Sequence, residues 1–383
     1  MLLLSKIFFE RIKVAKFYLH SSKQERYSMS RFFKDRFAHL EAYTPGEQPQ
    51  DDDIIKLNSN ENPYQPTPHI LAEADMVKTF NRYPDPEASE LVKALSDYYD
   101  VGYGNIMVGN GSDEILAWIF MAFEGKFYFP DITYGFYPVF ADAFMCEYEE
   151  IPLSGDLTIC SQDYANLDGN IIIANPNAPV GSDLGASQIR EILLTNKEHL
   201  VIIDEAYVDF GAETMIPLIE EFDNLVVVQT FSKSRSLAGG RVGMVFANPE
   251  IISDLKKIKY CFNPYNLDKV AIRAGKLAIE DADYFQMSTN RIMKTRSYFS
   301  EEMKKLGFEV PPSKGNFVLV RSDKIPGMEY YLRLKGKKII VRHFEKERIS
   351  DYVRITIGRE EDMERVLEAT AEILQERERD LLE

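Results

Sequence analysis

The segment Thr230-Phe231-Ser232-Lys233-Ser234-Arg235 sets a primary amine among hydroxyls directly after the apolar run Leu225 to Thr230, and a second arginine, Arg241, follows eight residues after the lysine. An amine at a strand end can condense with an aldehyde, while hydroxyls and a guanidinium hold phosphate oxygens. The pattern therefore suits a covalently held aldehyde-phosphate cofactor. Taken alone, a lysine in a serine-rich turn is as well read as a solvated surface group, so the companions of Lys233 decide.

Val201-Ile202-Ile203-Asp204-Glu205-Ala206-Tyr207 ends a buried-looking strand on an aspartate, at the edge where open α/β sheets bind ligands. Such an aspartate can pair with a protonated pyridine nitrogen; it can equally cap a helix or line a loop. The Tyr207 hydroxyl, three residues on, can donate to a phenolate oxygen on the same ring. Glu205 reads as a structural carboxylate. Gly109-Asn110-Gly111-Ser112-Asp113-Glu114 leads from an apolar strand into an amphipathic helix, whose open N–H groups suit a phosphate dianion, although the two acids also suit a plain helix start. There is no GxGxxG, GxxxxGK[ST] or HExxH, so dinucleotide, P-loop and zincin chemistry lack their residues, and no metal is implied.

Composition narrows the class further. The 383 residues are 45% apolar and 12% aromatic, enough for a large core. With 45 Lys and Arg against 61 Asp and Glu, the net charge is -16, and the summed field repels nucleic acid and anionic lipid. Three scattered cysteines, Cys146, Cys160 and Cys261, form neither a disulfide framework nor a CxxC pair, which suits a reducing compartment. No apolar run reaches bilayer length. A cytoplasmic protein is expected. The start, Met1 to Phe9, is interrupted by charge and reads as an extension over residues 1–28, with Met29 as an alternative initiator.

These residues need elements to carry them. Between Asn105 and Ala247, short apolar runs (Ile106 to Val108, Phe127 to Phe129, Ile171 to Ala174, Val201 to Ile203, Leu225 to Thr230, Val242 to Phe246) alternate with helical stretches such as Ser112 to Phe123 and Ala186 to Leu194. That order predicts a mainly parallel sheet with helices on both faces, an α/β architecture. Helices over Asp268 to Ile279 and Tyr284 to Lys305 follow. Short strands at Asn316 to Val320, Lys338 to Val341 and Tyr352 to Ile357, then an acidic helix from Glu360, predict a smaller α+β domain. The expected division is a large domain at 75–280 and a small one from 29–74 with 281–383.

The ordered set Leu57-Asn58-Ser59-Asn60-Glu61-Asn62-Pro63, Arg82-Tyr83-Pro84-Asp85, Gly109 to Glu114, Asn175-Pro176-Asn177-Ala178-Pro179-Val180-Gly181, Asp204 to Tyr207, the lysine loop and Val353-Arg354-Ile355-Thr356-Ile357-Gly358 resembles the histidinol-phosphate aminotransferases. These are fold-type I enzymes that use pyridoxal 5'-phosphate. The resemblance implies Lys233 as the Schiff-base lysine, Asp204 on the pyridine nitrogen and Tyr207 on the ring oxygen. It places the phosphate on the Ser112 and Asp113 N–H groups beside Gly111, on Thr230 or Ser232, and on Arg241. Tyr134 in Thr133-Tyr134-Gly135-Phe136-Tyr137 would stack on the ring, and Tyr83 would reach the phosphate from the other subunit of a homodimer. Arg354, with Arg342, Tyr43 and Asn60, would hold the substrate.

Two positions depart from the family pattern. Ala178 stands where an asparagine usually meets the ring oxygen, so either Asn177 takes over or that contact is lost; Gly240 stands where leucine is common. The implied substrates are a small amino phosphate and a 2-oxo acid: histidinol phosphate and 2-oxoglutarate, giving imidazole acetol phosphate and glutamate in histidine biosynthesis. A decarboxylase, or an aminotransferase for another small phosphorylated amine or amino acid, has the same scaffold and remains the alternative.

Overall fold

Runs of branched apolar residues build the centre of the computed structural model, which describes residues 47–49, 51, 53–72 and 80–382. The expected extension 1–28, Met29 and Tyr43 lie outside the described residues, which belong to one compact unit spanning 43–383. The central sheet has seven strands in the order β2-β8-β7-β6-β5-β3-β4. They are β2 (Ile106–Asn110), β3 (Phe127–Pro130), β4 (Tyr148–Ile151), β5 (Asn170–Ala174), β6 (Val201–Asp204), β7 (Leu225–Thr230) and β8 (Val242–Ala247), after a short β1 (Ile55–Lys56). All neighbours pair in parallel except at β8, which runs antiparallel to both β2 and β7.

Every residue of β5, β6 and β7 is buried, and alternate residues enter opposite cores. Ile171, Val201, Ile203 and Val227 pack on one face; Ile172, Ile202, Val226 and Val228 pack on the other. Burial on both faces is why these strands read as continuous apolar runs. Truncating one such side chain, as in Ile203→Ala, costs about 2–5 kcal/mol. The same alternation sends Asp204 to the face of Tyr137 and Glu205 to the other.

Register sets the geometry of the ligand edge. Ala174 pairs with Asp204 and Asp204 with Val228, while Thr230 lies opposite Gly243 and Asn110 opposite Val242. The ends of β2, β5, β6 and β7 therefore share one edge with the beginning of β8. Because β8 is antiparallel, Arg241 just before it arrives at that edge too.

A second, three-stranded antiparallel sheet has the order β11-β12-β9, from β9 (Phe317–Val320), β11 (Arg342–His343) and β12 (Val353–Thr356). The single strand expected at Lys338 to Val341 is divided: β10 (Ile339–Ile340) pairs in parallel with β1, and the chain changes partner at Val341 before β11 pairs with β12. In that ladder Arg342 lies directly opposite Arg354. The long helix Ala282–Lys305 and the acidic helix Glu360–Leu382 pack with this sheet around Phe299, Phe317 and Val366. Among the described residues, no helix is long and apolar enough to cross a membrane.

Candidate active site

Lys233 is turned inward because its neighbours are tied down. The Asn62 amide donates to the carbonyls of Lys233 and Ser234 at 3.0 and 3.1 Å, and the Ser234 hydroxyl donates to Asp209. Arg235 is buried, donates to the Ala278 carbonyl at 2.6 Å, and lies 3.6 Å over the Phe285 ring. Between these anchors the Lys233 ammonium donates to the Ser59 carbonyl at 3.2 Å. It faces a cavity of about 420 Å³, whose wall includes Ser59, Asn60, Tyr134, Tyr207, Arg342 and Arg354.

Asp204 ends β6 with Oδ2 accepting from the Tyr137 hydroxyl at 2.8 Å and Oδ1 accepting from the Ala206 N–H at 3.2 Å. Burial pushes its carboxyl up to about 6, while those two donors and the nearby Lys233 charge act against the rise. An acid in this state is ready to ionise against a cation. On the opposite face, Glu205 accepts from Thr214, the Met215 N–H and Gln229, and burial pushes it up to about 7. Tyr137 lies three residues after Tyr134, just inside the helix Phe136–Phe144, and its grip on Asp204 is not visible from spacing.

The helix Ser112–Ala122 starts at Gly111, which makes no side-chain cap and has φ 78°. A Cβ on Gly111 would lie 2.3 Å from Arg241 Nη2, and one on Gly243 would lie 2.3 Å from the Gly111 carbonyl carbon. Glycine at both positions lets the guanidinium close over the helix N-terminus. Arg241 reaches Ser232 Oγ at 3.3 Å and Asp113 at 3.2 Å, and Thr230 donates to Ser232 at 2.9 Å. The Tyr134 hydroxyl donates to the other Asp113 oxygen at 2.6 Å. Uncapped N–H groups, two hydroxyls and a guanidinium in one cradle fit a phosphate dianion. A buried acid, a hydroxyl and an amine beside it fit the ring and aldehyde of the cofactor that the sequence implies.

Arg342 and Arg354 share the far wall, with the Phe344 ring 5.8 and 5.7 Å from their guanidiniums. Arg354 also donates to the Asn58 carbonyl at 2.8 Å. The loop after β11 is fastened to the end of β3: Arg348 donates to Asp131 at 2.9 Å and to the Leu153 and Ser154 carbonyls at 2.8 Å, and Lys346 donates to the Asp131 carbonyl. None of these loop residues carried a signal of its own in the sequence.

Two expected residues stand apart. The Asn177 amide is fully buried, accepting from Thr133 at 2.7 Å and donating to the Ile132 carbonyl at 2.9 Å, while it is Ala178 that lines the cavity. The Asn177 amide thus stitches two loops together. Tyr83 is 79% exposed, away from the cavity of its own chain, with its ring stacked on Tyr265 at 4.5 Å. Asn60 borders the cavity, but its amide is engaged with Tyr207 and Thr356.

The sequence matches the family model for aminotransferase class I and II over residues 52–369. The chain belongs to that family. It is similar to a histidinol-phosphate aminotransferase of Brachyspira hyodysenteriae, 47% identical over 343 residues that cover 88% of this chain and 97% of the relative. The solved histidinol-phosphate aminotransferase of Clostridium acetobutylicum aligns at TM-score 0.79 and 26% identity, over 84% of this chain and all 100% of that one. The Sinorhizobium meliloti histidinol-phosphate aminotransferase, solved in complex with pyridoxal-5'-phosphate, shares the fold at TM-score 0.80 with 22% identity, covering 91% and 99% of the two chains. The fold is that of the fold-type I aminotransferases.

Proposed function

We propose that the chain is a pyridoxal 5'-phosphate-dependent aminotransferase that moves the amino group of histidinol phosphate to 2-oxoglutarate, yielding imidazole acetol phosphate and glutamate in histidine biosynthesis. One observation carries the reading: Lys233, Tyr207 and two arginines meet in a single cavity, in a chain 47% identical to a relative of that name. When bound, pyridoxal 5'-phosphate supplies an aldehyde and a ring that takes up electrons from the substrate carbon. The N–H groups of Ser112 and Asp113, with Thr230, Ser232 and Arg241, would hold its phosphate. Tyr134 would stack on the ring, Asp204 would meet its nitrogen, and Tyr207 would donate to its oxygen.

Lys233 would take the proton from the substrate carbon that bears nitrogen and deliver it to the carbon that was the cofactor's aldehyde, and would run the same transfer in reverse for the 2-oxo acid. Arg354 and Arg342, opposite each other on neighbouring strands, receive the phosphate of one substrate and the carboxylate of the other; a planar fork suits both anions. The active unit is a homodimer in which Tyr83 serves the partner's phosphate. The exposure of Tyr83, and of Phe80 and Phe262 at 58% and 70%, supports a buried role in an assembly. In this reading the small domain draws on both ends of the chain, as Ile55 and Leu57 share a core with Phe317 and Val353.

The test is product analysis after incubation with pyridoxal 5'-phosphate, histidinol phosphate and 2-oxoglutarate, alongside phosphoserine and other amino phosphates. Stoichiometric glutamate from histidinol phosphate is expected. Release of carbon dioxide from a phosphorylated amino acid, with no glutamate formed from any amine, would replace this reading by the decarboxylase.

A further inference from the structure

Each hydrogen around the Tyr207 hydroxyl follows from its neighbours. The main-chain N–H of Asn60 donates to the Thr356 hydroxyl at 3.0 Å, and that hydroxyl donates back to Asn60 Oδ1, also at 3.0 Å. With Oδ1 committed, Asn60 turns its Nδ2 to the Tyr207 oxygen, to which it donates at 2.9 Å. The phenol thus receives a hydrogen on one side and keeps its own to give. The unit is rigid: Asn60 has the left-handed φ of 52°, its carbonyl accepts from Asn316 at 3.0 Å, and Phe317 meets the Tyr207 ring edge-on at 5.0 Å. Asn60 and Tyr207 both border the cavity, and the position facing them at 178 carries only a methyl group.

We infer that Asn60 is a positioning residue: it fixes the direction in which Tyr207 donates, so that an anionic ring oxygen in the cavity meets a donor already aimed at it. This rests on the proposed function, which makes that oxygen the cofactor's. It also assigns the Asn60 amide to Tyr207 rather than to substrate.

The experiment compares the pH titration of visible absorbance, and the cofactor dissociation constant, in loaded protein. Asn60→Gly deletes the amide and tolerates the left-handed backbone. A donor to the anionic oxygen favours the unprotonated form, so its misalignment moves the titration midpoint upward, by about half a unit to one unit, and weakens cofactor binding up to about tenfold. Tyr207→Phe moves the midpoint the same way, and adding Asn60→Gly to it changes nothing further. Thr356→Val, which keeps Asn60 but releases Oδ1, gives a smaller shift of the same sign. Ala178→Asn in the Asn60→Gly background returns the midpoint toward the parent, because an amide there supplies a donor of its own. An unmoved midpoint in Asn60→Gly, or shifts that add in the double variant, would overturn the inference alone. A parent that takes up no cofactor would overturn the proposed function and this inference with it.

Discussion

Replacing Tyr137 by Phe removes one oxygen and keeps the ring that packs beside Phe129 and Tyr134. What is lost is the 2.8 Å hydrogen bond to Asp204 Oδ2, which leaves the Ala206 N–H as the remaining donor to that carboxyl. A hydrogen bond to a charged group is worth about 1.5–3 kcal/mol, and one pKa unit is about 1.4 kcal/mol, so the carboxyl should rise by about one to two units. From about 6 in the parent, Asp204 would then titrate near about 7.5. If only the ionised carboxylate receives the protonated ring nitrogen, cofactor affinity falls in proportion to the ionised fraction. The deficit is about 16-fold at pH 6 and about fourfold at pH 7, and it vanishes by about pH 9. Fluorescence titration of cofactor-free protein with pyridoxal 5'-phosphate at these three pH values measures it. A deficit equal at all three would show that Tyr137 supplies packing and not ionisation; no deficit at pH 6 would refute the role given to Asp204.

Arg354→Lys keeps the charge and loses the fork, so single-turnover rates with histidinol phosphate and with 2-oxoglutarate should both drop, about ten- to a hundredfold, while the bound cofactor's absorbance stays as in the parent. A defect in one half-reaction only would assign the other anion to Arg342. Glu205 is raised from 4.5 to about 7 and Asp204 from 3.8 to about 6, so the folded state holds both protons more tightly than the unfolded chain. The contribution of these two groups to the stability of cofactor-free protein is therefore fully present below about pH 4 and is lost as pH rises through 6 and 7, with Glu205 contributing on the order of 3 kcal/mol. Denaturation midpoints should fall between pH 5 and 8 in the parent and fall less in Glu205→Gln; equal slopes would contradict the buried ionisation. Inactive Tyr83→Phe and Lys233→Ala subunits, refolded together, should regain activity if sites are shared between subunits, and recovery no better than either parent variant would reject that assembly.

The strands that carry the chemistry were legible because burial on both faces makes them unbroken apolar runs. β4, Tyr148-Glu149-Glu150-Ile151, was not, because it is an edge strand with two exposed glutamates and shows no such run. Lys233, Asp204 and Arg241 were legible since each sits at a strand end within its own short motif. Tyr137 and Asn60 act through partners 67 and 147 residues away in the chain, and no local pattern records such a pairing. The Asp131 clamp on Arg348, across 217 residues, is of the same kind. Asn177 shows the converse: its motif was plain, and only the surrounding loops reveal that its amide is occupied.

The stretch from Asn58 to Asn62 meets Arg354, Lys233 and Tyr207 in turn, across separations of 296, 174 and 147 residues. A ribosome delivers these partners in a fixed order. The seven-stranded sheet ends at Ala247 and can consolidate while the rest of the chain is still being made, since domains tend to fold as units from the N-terminal side. The early segment meets its last partners only after Thr356 has emerged, so the cavity wall is among the last parts of the molecule to close. Nascent chains halted before that point would carry Lys233 and Asp204 on a finished sheet and still lack the completed wall of Arg342 and Arg354 that encloses them, which keeps the amine without its substrate cavity until synthesis is nearly complete.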